Sequence, residues 1–224
     1  MGTLASYKRA FTVFALLLPG LLAARAPEPG GWRVSHLNGS VLFRVFSPSV
    51  PEANASYRPL AVGSSLPASS RVSCRQGAEL LLRQGPRSLR FLQGAAFDVS
   101  ARSLTLRQSA LLLDQRDRAV RDLPAFRLAG PEAEVLLAGR GVLLAETLLS
   151  GGLKLIVVAG SFRADSPGVG KSVEIGPGSL LFVKPYAKGF GSPIHLNLET
   201  LVATAALVHE FPNTPDFLAE LAHA

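Results

Sequence analysis

Thiol groups are nearly missing from this 224-residue sequence, in which Cys74 is the single cysteine. One cysteine cannot form an intrachain disulfide, and it cannot contribute to a metal site built from several thiolates. The strand-like stretch around it places Cys74 with Val72 and opposite Ser73. We therefore predict that Cys74 is buried as a small hydrophobic side chain. An intermolecular disulfide and a reactive thiol are the alternatives.

Charged side chains are also scarce, at 17% of residues, against roughly 25% in soluble proteins. The basic residues are spread out without a cluster of five or more, so the sequence predicts no nucleic-acid surface. The net charge of +7 falls to +4 without residues 1–26, because that segment holds three basic residues and no acid. A mature chain of this charge suits an anionic envelope or an acidic polymer.

The common arrangements of reactive side chains are missing as well. No Gly-x-Ser-x-Gly elbow is present, so a serine hydrolase has no support. No two histidines have metal-ligand spacing on one element, and the strand around Cys74 favours packing over catalysis. We therefore predict no catalytic residue, no metal site, no cofactor and no enzymatic activity. The four histidines are His36, His195, His209 and His223.

The stretch PGVGKSV at 167–173 is similar at first sight to a phosphate-binding loop. Such a loop needs glycine at the position held by Asp165, whose negative charge would repel phosphate. The following residues alternate and are interrupted by glycine, so no helix N-terminus would face a nucleotide. We interpret the stretch as a hairpin tip, with strands on both sides and Lys171 pointing to water. The sequence thus predicts no nucleotide site.

The first 26 residues have the three-part pattern of a secretory signal peptide. A basic start at Lys8 and Arg9 precedes an apolar run from Phe11 to Ala24, and the small residues at 24 and 26 fit a cleavage site after Ala26. The run is about 14 residues, short for a membrane span. We therefore expect a periplasmic or secreted protein. An uncleaved N-terminal anchor and a buried apolar strand are the alternatives.

Short strands dominate the rest of the pattern. The sequence has 21 Gly and 16 Pro, and turn signals separate brief alternating runs such as SLTLR at 103–107. We predict an all-β fold, either a β-roll or sandwich or a solenoid-like stack, over residues 39–185. Its two blocks would span about 39–115 and 125–185, after a tether at 27–38. LIVVA at 155–159 is apolar on both faces and should lie mid-sheet.

The C-terminal residues change to helical spacing. Asn197 is a helix cap, and apolar residues follow it on one face. Thr214 and Pro215 are typical of the start of a last helix through Leu221. We expect residues 186–224 to form a helical extension that packs on the sheet, with docking to a partner as the alternative.

The densest charge lies in LLLDQRDRAVRDLP, at residues 111–124. Asp114, Asp117 and Asp122 alternate there with arginines. Mixed-sign runs of this kind are usually solvated ion pairs, here in a connection between the two β blocks. The alternative is a loop that docks a partner.

From about residue 39 to 185 the chain resembles the FecR-like domain family. RPLAVGSSLPASSRVSCRQGAELLLRQG (58–85) is similar to the first half of the family pattern. PEAEVLLAGRGVLLAETLLSGGLKLIVVAGSFRADSPGVGKSVEIGPGSLLFV (131–183) is similar to the second half, although Gly139-Arg140-Gly141 stands where the family often has Gly-Thr. The resemblance implies an all-β envelope domain and supplies no catalytic residues.

Well-characterised members of that family combine a cytoplasmic anti-sigma segment, one membrane span and a periplasmic sensing part. Only a signal-like segment precedes the domain here, so we do not expect signalling by that route. The sequence predicts a non-catalytic binding or scaffolding module of the bacterial envelope. Its partner would be an envelope protein, a polysaccharide or a second copy. The alternatives are an accessory of envelope signalling and an unrecognised envelope enzyme.

Overall fold

The computed structural model describes residues 31–46, 56–100, 102–209 and 219. Their backbone is mostly β-strand, as the sequence predicts, with a 3-10 helix at Arg118–Asp122 and two α-helices, α1 (Leu198–Thr204) and α2 (Ala206–His209). The strands are β1 (Arg33–Asn38), β2 (Val41–Val45), β3 (Arg58–Pro59), β4 (Ser70–Cys74), β5 (Glu79–Gln84), β6 (Arg87–Phe91), β7 (Ala96–Val99), β8 (Ser103–Gln108), β9 (Ala110–Asp114), β10 (Phe126–Ala129), β11 (Glu134–Thr147), β12 (Leu153–Ser166), β13 (Lys171–Ile175), β14 (Ser179–Val183) and β15 (Ile194–His195).

The strands form one curled sheet rather than separate stacked units. Its main path runs β1-β5-β6-β9-β11-β10-β8-β7-β4-β2-β3, and β12 joins it through β11. The β12 strand in turn pairs with β13 and β14, and β15 adds to β14. Every pair is antiparallel except β8 with β10. Strand β11 is therefore hydrogen-bonded to β9 of the first sequence block and to β10 and β12 of the second.

A long hairpin of β11 and β12 organises this sheet. Each strand has 14 residues, and glycine occupies the middle of both. At Gly141 a Cβ atom would lie 2.0 Å from the Ala159 carbonyl oxygen, and at Gly160 it would lie 2.1 Å from the Arg140 carbonyl oxygen. The two backbones thus approach more closely there than any side chain permits. A β-bulge follows directly, between Val142 and Leu143 in the register, and such bulges bend the strands; this part of the hairpin is called the bend below. One half of β11 pairs with β10 and the other with β9.

The main core lies on the inner side of the curl. Its largest side chains are aromatic: Trp32 meets Phe126 edge-on at 6.2 Å between ring centroids, and Phe91 stacks on Phe97 at 3.9 Å. Aliphatic side chains surround these rings. They come from every second position of the strands, because every second side chain along a strand points to the same face. Cys74 is part of this core and is 3% exposed.

A second, smaller cluster covers the outer side of the sheet. The register steps from Val142–Ala159 to Leu143–Val157, so Val158 is an extra residue in β12. This bulge turns both Val158 and Ala159 to the outer cluster, where Leu207 and Val208 of α2 pack. The prediction that LIVVA lies mid-sheet is confirmed, because β12 has partner strands on both sides. The predicted packing on the sheet is confirmed for the helical segment after Asn197, which forms α1 and α2. Asn197 caps α1, with its side-chain oxygen accepting from the Thr200 amide at 3.0 Å.

The tether predicted at 27–38 is wrong for its last residues. Arg33–Asn38 forms β1 and pairs with β5. The reason is that Trp32 and Val34 both pack in the core, each 1% exposed. Burial of these alternate residues holds the backbone between and after them beside β5. Of the last helix, predicted from Thr214 through Leu221, all residues but 219 lie outside the described part of the chain.

An ion-pair group ties three neighbouring strands together on one face. Asp98 of β7 accepts hydrogen bonds from Arg71 of β4, at 2.7 Å, and from Arg107 of β8, at 2.6 Å. Burial alone would raise the pKa of this carboxyl group, but the two guanidinium groups hold it below its usual value. The pairs cross both neighbouring strands, so they fix the β4–β7–β8 register.

Candidate functional site

The stretch that is similar to a phosphate loop is a hairpin tip, as predicted. The β12 strand ends at Ser166 and β13 begins at Lys171. The amide of Gly170 donates to the Ser166 carbonyl at 3.0 Å, and Gly170 has a φ of 64°. Asp165 accepts from Ser172 across the hairpin at 2.5 Å. The Asp165 carboxylate therefore stabilises the hairpin through this hydrogen bond, and Lys171 is exposed.

Cys74 is a packing residue, as the alternation predicts. It shares the buried face of β4 with Val72, while Ser73 is only partly buried. Burial raises the pKa of the Cys74 thiol to about 12. A thiol in this state is almost wholly protonated at neutral pH, so it is a poor nucleophile.

The histidines are dispersed over the fold. His36 of β1 lies 3.5 Å from the Glu79 carboxylate of β5, whereas His195 is in β15 and His209 ends α2. Within ranges 31–46, 56–100 and 102–209, no group of three His, Cys, Asp or Glu side chains could hold a metal ion. His223 lies outside the described residues.

The charged run between the blocks is an ordered segment. Asp114 receives hydrogen bonds from the Arg116 guanidinium, at 3.0 and 2.9 Å. Asp117 caps the 3-10 helix by accepting from the Ala119 amide at 2.9 Å. The run therefore contains the ion pair that the sequence predicts, together with a capped helical turn that it does not. The side chain of Asp122 is outside the described part.

An apolar groove lies between the outer face of the sheet and the C-terminal helices. Its volume is about 430 Å³. Ala110, Leu144 and Ile156 line it from β9, β11 and β12, and Leu201 and Leu207 line it from α1 and α2. The groove exists because the helices cover only part of an outer sheet face that is apolar on the long hairpin. Its size falls in the usual range for ligand sites, about 300–1,000 Å³.

The polar groups of this groove are largely engaged with the chain itself. Lys154 pairs with Glu146 directly across the hairpin. Gln93 accepts from the Gly77 amide at 2.7 Å, and the Ser109 hydroxyl donates to the Ala96 carbonyl at 3.4 Å. The surface offered to a ligand is consequently apolar. Sequence reasoning found the apolar outer residues of β12 but not the groove, because only the packing of α1 and α2 creates its second wall.

No helix in the described part of the chain has both the length and the apolar character needed to cross a membrane.

The fold is thus an all-β curled sheet with C-terminal helices. No family model matches the chain, and no curated protein matches it. It is similar to a crystal structure described as that of a "putative anti-sigma factor from Parabacteroides distasonis ATCC 8503", at 14% identity and a TM-score of 0.45, covering 62% of this chain and 64% of that one. A second structure with the same description has 12% identity and a TM-score of 0.44, covering 59% and 63%.

The chain therefore spans less than two thirds of the length of both similar structures.

Proposed function

We propose that the chain is a non-catalytic binding module of the bacterial cell envelope, which docks an apolar segment of an envelope protein. The observation that carries this proposal is the groove between the sheet and the C-terminal helices. The FecR-like pattern of residues 39–185 supports the envelope context. A groove with one wall of helix and one of sheet suits a short amphipathic segment that inserts side chains from one face.

The chemistry of the lining favours a protein over a polysaccharide. A sugar exposes hydroxyl groups on most of its surface, and burying them without hydrogen-bond partners is unfavourable. None of the groove residues that the structure describes is aromatic, so no ring is offered for stacking on a sugar. Gln93, Ser109, Glu146 and Lys154 already have partners within the chain.

Two matched tryptophan variants test this proposal. Ala206 lines the groove and is exposed, so Ala206→Trp fills the groove without opening a core cavity. Ala203 is an exposed residue of α1 outside the lining, and Ala203→Trp is the control. The tagged full chain is crosslinked in intact cells, and the captured partner is quantified for each variant.

We expect capture of a defined protein by the wild type and by Ala203→Trp, and its loss in Ala206→Trp. Equal capture by both variants would overturn the groove as the docking site. Capture of a polysaccharide that Ala206→Trp abolishes would overturn the protein partner.

The location is proposed from the leader-like residues 1–26. We propose export to the periplasm or the medium with cleavage after Ala26, and retention by an uncleaved anchor is the alternative. Cell fractionation with N-terminal sequencing decides between them. A mature chain that begins at Pro27 supports cleavage, and a full-length cytoplasmic chain contradicts export.

A second candidate function is an accessory of envelope signalling, which the FecR-like pattern favours. The two functions differ in their consequence for transcription. Deletion of the gene should change sigma-dependent reporter expression only under the signalling function. Unchanged reporter expression together with a captured partner would exclude the signalling function and support the binding module.

A further inference from the structure

A second cavity lies at the bend of the β11–β12 hairpin, away from the groove. Its volume is about 470 Å³. On one side are the 3-10 helix and the loop that follows it, with Val120 and Pro124. On the other side is the bent β11 strand, with Gly139 and Arg140. Arg87, the first residue of β6, lines both this cavity and a neighbouring one.

Arg87 is a buried cation that is held by neutral groups. It is 4% exposed. Its Nε atom donates to Gln115 Oε1 at 3.0 Å, its Nη2 atom donates to the Pro124 carbonyl at 3.3 Å, and its guanidinium carbon lies 4.9 Å from the Phe126 ring centroid. No carboxylate among the described side chains forms a salt bridge with it.

The charge of Arg87 persists despite this environment. Burial lowers the pKa of Arg87 to about 10, so the side chain remains protonated at neutral pH. A guanidinium has five N–H groups, and in the described part of the chain two of its nitrogens donate to protein acceptors, both of them neutral. Burying a charge without a counter-charge is unfavourable, and an anion in the cavity would offset that cost.

Gln115 fixes the direction of the Arg87 guanidinium. The Gln115 side chain is 1% exposed, and its Nε2 atom donates to the Gly139 carbonyl at 2.8 Å. Its orientation is unambiguous, since a carbonyl only accepts and a guanidinium only donates. The Gln115 backbone also bonds Gly141, with its amide donating to that carbonyl at 2.9 Å. The hairpin bend thus holds Arg87 through one rigid amide.

Arg140 is a second cationic residue that lines the same cavity. It lies between the two glycines of the bend, and its Nε and Nη2 atoms both donate to the Arg116 carbonyl, the former at 3.1 Å. This acceptor is again neutral. Among the acids of the neighbouring run whose side chains the structure describes, Asp114 pairs with Arg116 and Asp117 caps the 3-10 helix.

We propose that this cavity binds an oxyanion, a carboxylate or phosphate group of a ligand, between the guanidinium groups of Arg87 and Arg140. Guanidinium groups match the planar spacing of two oxygens on such an anion and bind it with paired hydrogen bonds. Ser161 also lines this cavity, and its hydroxyl is a further candidate donor to the anion. This site is independent of the apolar groove and of the function proposed from it.

The test titrates the full chain with inorganic phosphate and, separately, with succinate. Sodium chloride at equal ionic strength is the reference, and both calorimetry and the melting temperature are recorded. The key variant is Arg140→Gln, since Arg140 is only partly buried. Arg118→Gln is the matched control, because Arg118 is exposed on the 3-10 helix and does not line the cavity. Arg87→Met is the second variant.

We expect saturable binding of at least one probe, with a melting temperature that rises above the chloride reference. Binding should weaken about tenfold or more in Arg140→Gln, as for loss of a charge-assisted pair, and remain unchanged in Arg118→Gln. Arg87→Met should abolish it. Equal weakening in Arg140→Gln and Arg118→Gln, or no binding beyond chloride, would overturn the proposal. The probe that binds distinguishes a carboxylate site from a phosphate site.

Discussion

Gly160 permits a sharp test of how the long hairpin bends. Its φ is +72°, and an added Cβ atom would lie 2.1 Å from the Arg140 carbonyl oxygen. Gly170, at the hairpin tip, has a similar φ of +64°, but an added Cβ atom would meet nothing within 4 Å. The substitutions Gly160→Ala and Gly170→Ala therefore share the left-handed backbone strain and differ in the close approach.

The two costs can be separated. The left-handed conformation costs an L-residue about 1–2 kcal/mol, and this is the whole effect expected at Gly170. Inserting atoms into a packed site costs about 1–3 kcal/mol more. The upper end applies at Gly160 because the opposing atom is a backbone carbonyl, which cannot rotate away. We expect Gly160→Ala to lower the free energy of unfolding by about 4–5 kcal/mol.

Thermal and urea unfolding of both variants measure the difference. For a chain of this size, 1 kcal/mol corresponds to about 2–4 °C in the melting temperature. An excess of about 3 kcal/mol for Gly160→Ala over Gly170→Ala then predicts a gap of about 6–12 °C. Equal losses of stability in the two variants would refute the claim that backbone contact at the bend requires glycine.

Three further outcomes follow from the core and the ion pairs. Because the pKa of Cys74 is raised to about 12, alkylation at pH 8 should be slow in native protein and rapid in urea; equal rates would contradict its burial. Asp98→Asn should be less stable than the wild type at neutral pH, because the folded-state pKa of Asp98 is depressed. The difference in free energy of unfolding should shrink as the pH falls below about 4 and Asp98 becomes protonated. A difference that grows in acid would contradict this sign. Leu112→Ala should lower the free energy of unfolding by about 2–5 kcal/mol, because Leu112 is fully buried in the outer cluster beneath the C-terminal helices. Leu149→Ala, at a fully exposed site, should change it by less than about 0.5 kcal/mol. Equal effects of the two substitutions would contradict the outer cluster.

Local chemistry made part of this fold predictable. The PGVGKSV turn followed from the position of Asp165, and the mid-sheet position of LIVVA followed from its composition. Asn197 correctly predicted the start of α1, because a helix cap is a local interaction with nearby amides. Each of these conclusions depends on residues within a few positions of one another.

The remaining features depend on contacts between distant segments. Gly139 and Gly141 are ordinary turn glycines in the sequence, and only the β12 backbone opposite shows why a side chain is excluded. Trp32 follows a Pro- and Gly-rich stretch that is typical of a tether, yet it packs on Phe126. Arg87 follows a turn, where arginine is usually solvated, and the neutral groups around it come from residues 115, 124 and 126.

The central place of the β11–β12 hairpin has a consequence for the order of folding. Strands β9 and β10 need β11 as their neighbour, and β13 and β14 need β12. During synthesis, the first nine strands leave the ribosome with an open sheet edge at β9, which stays uncovered until residues 134–147 emerge. Unpaired edges are where chains aggregate, and pairing over such sequence distances is slow. Pairing of β11 with β9 is thus the step at which this edge becomes protected, and chaperone binding to it should end there.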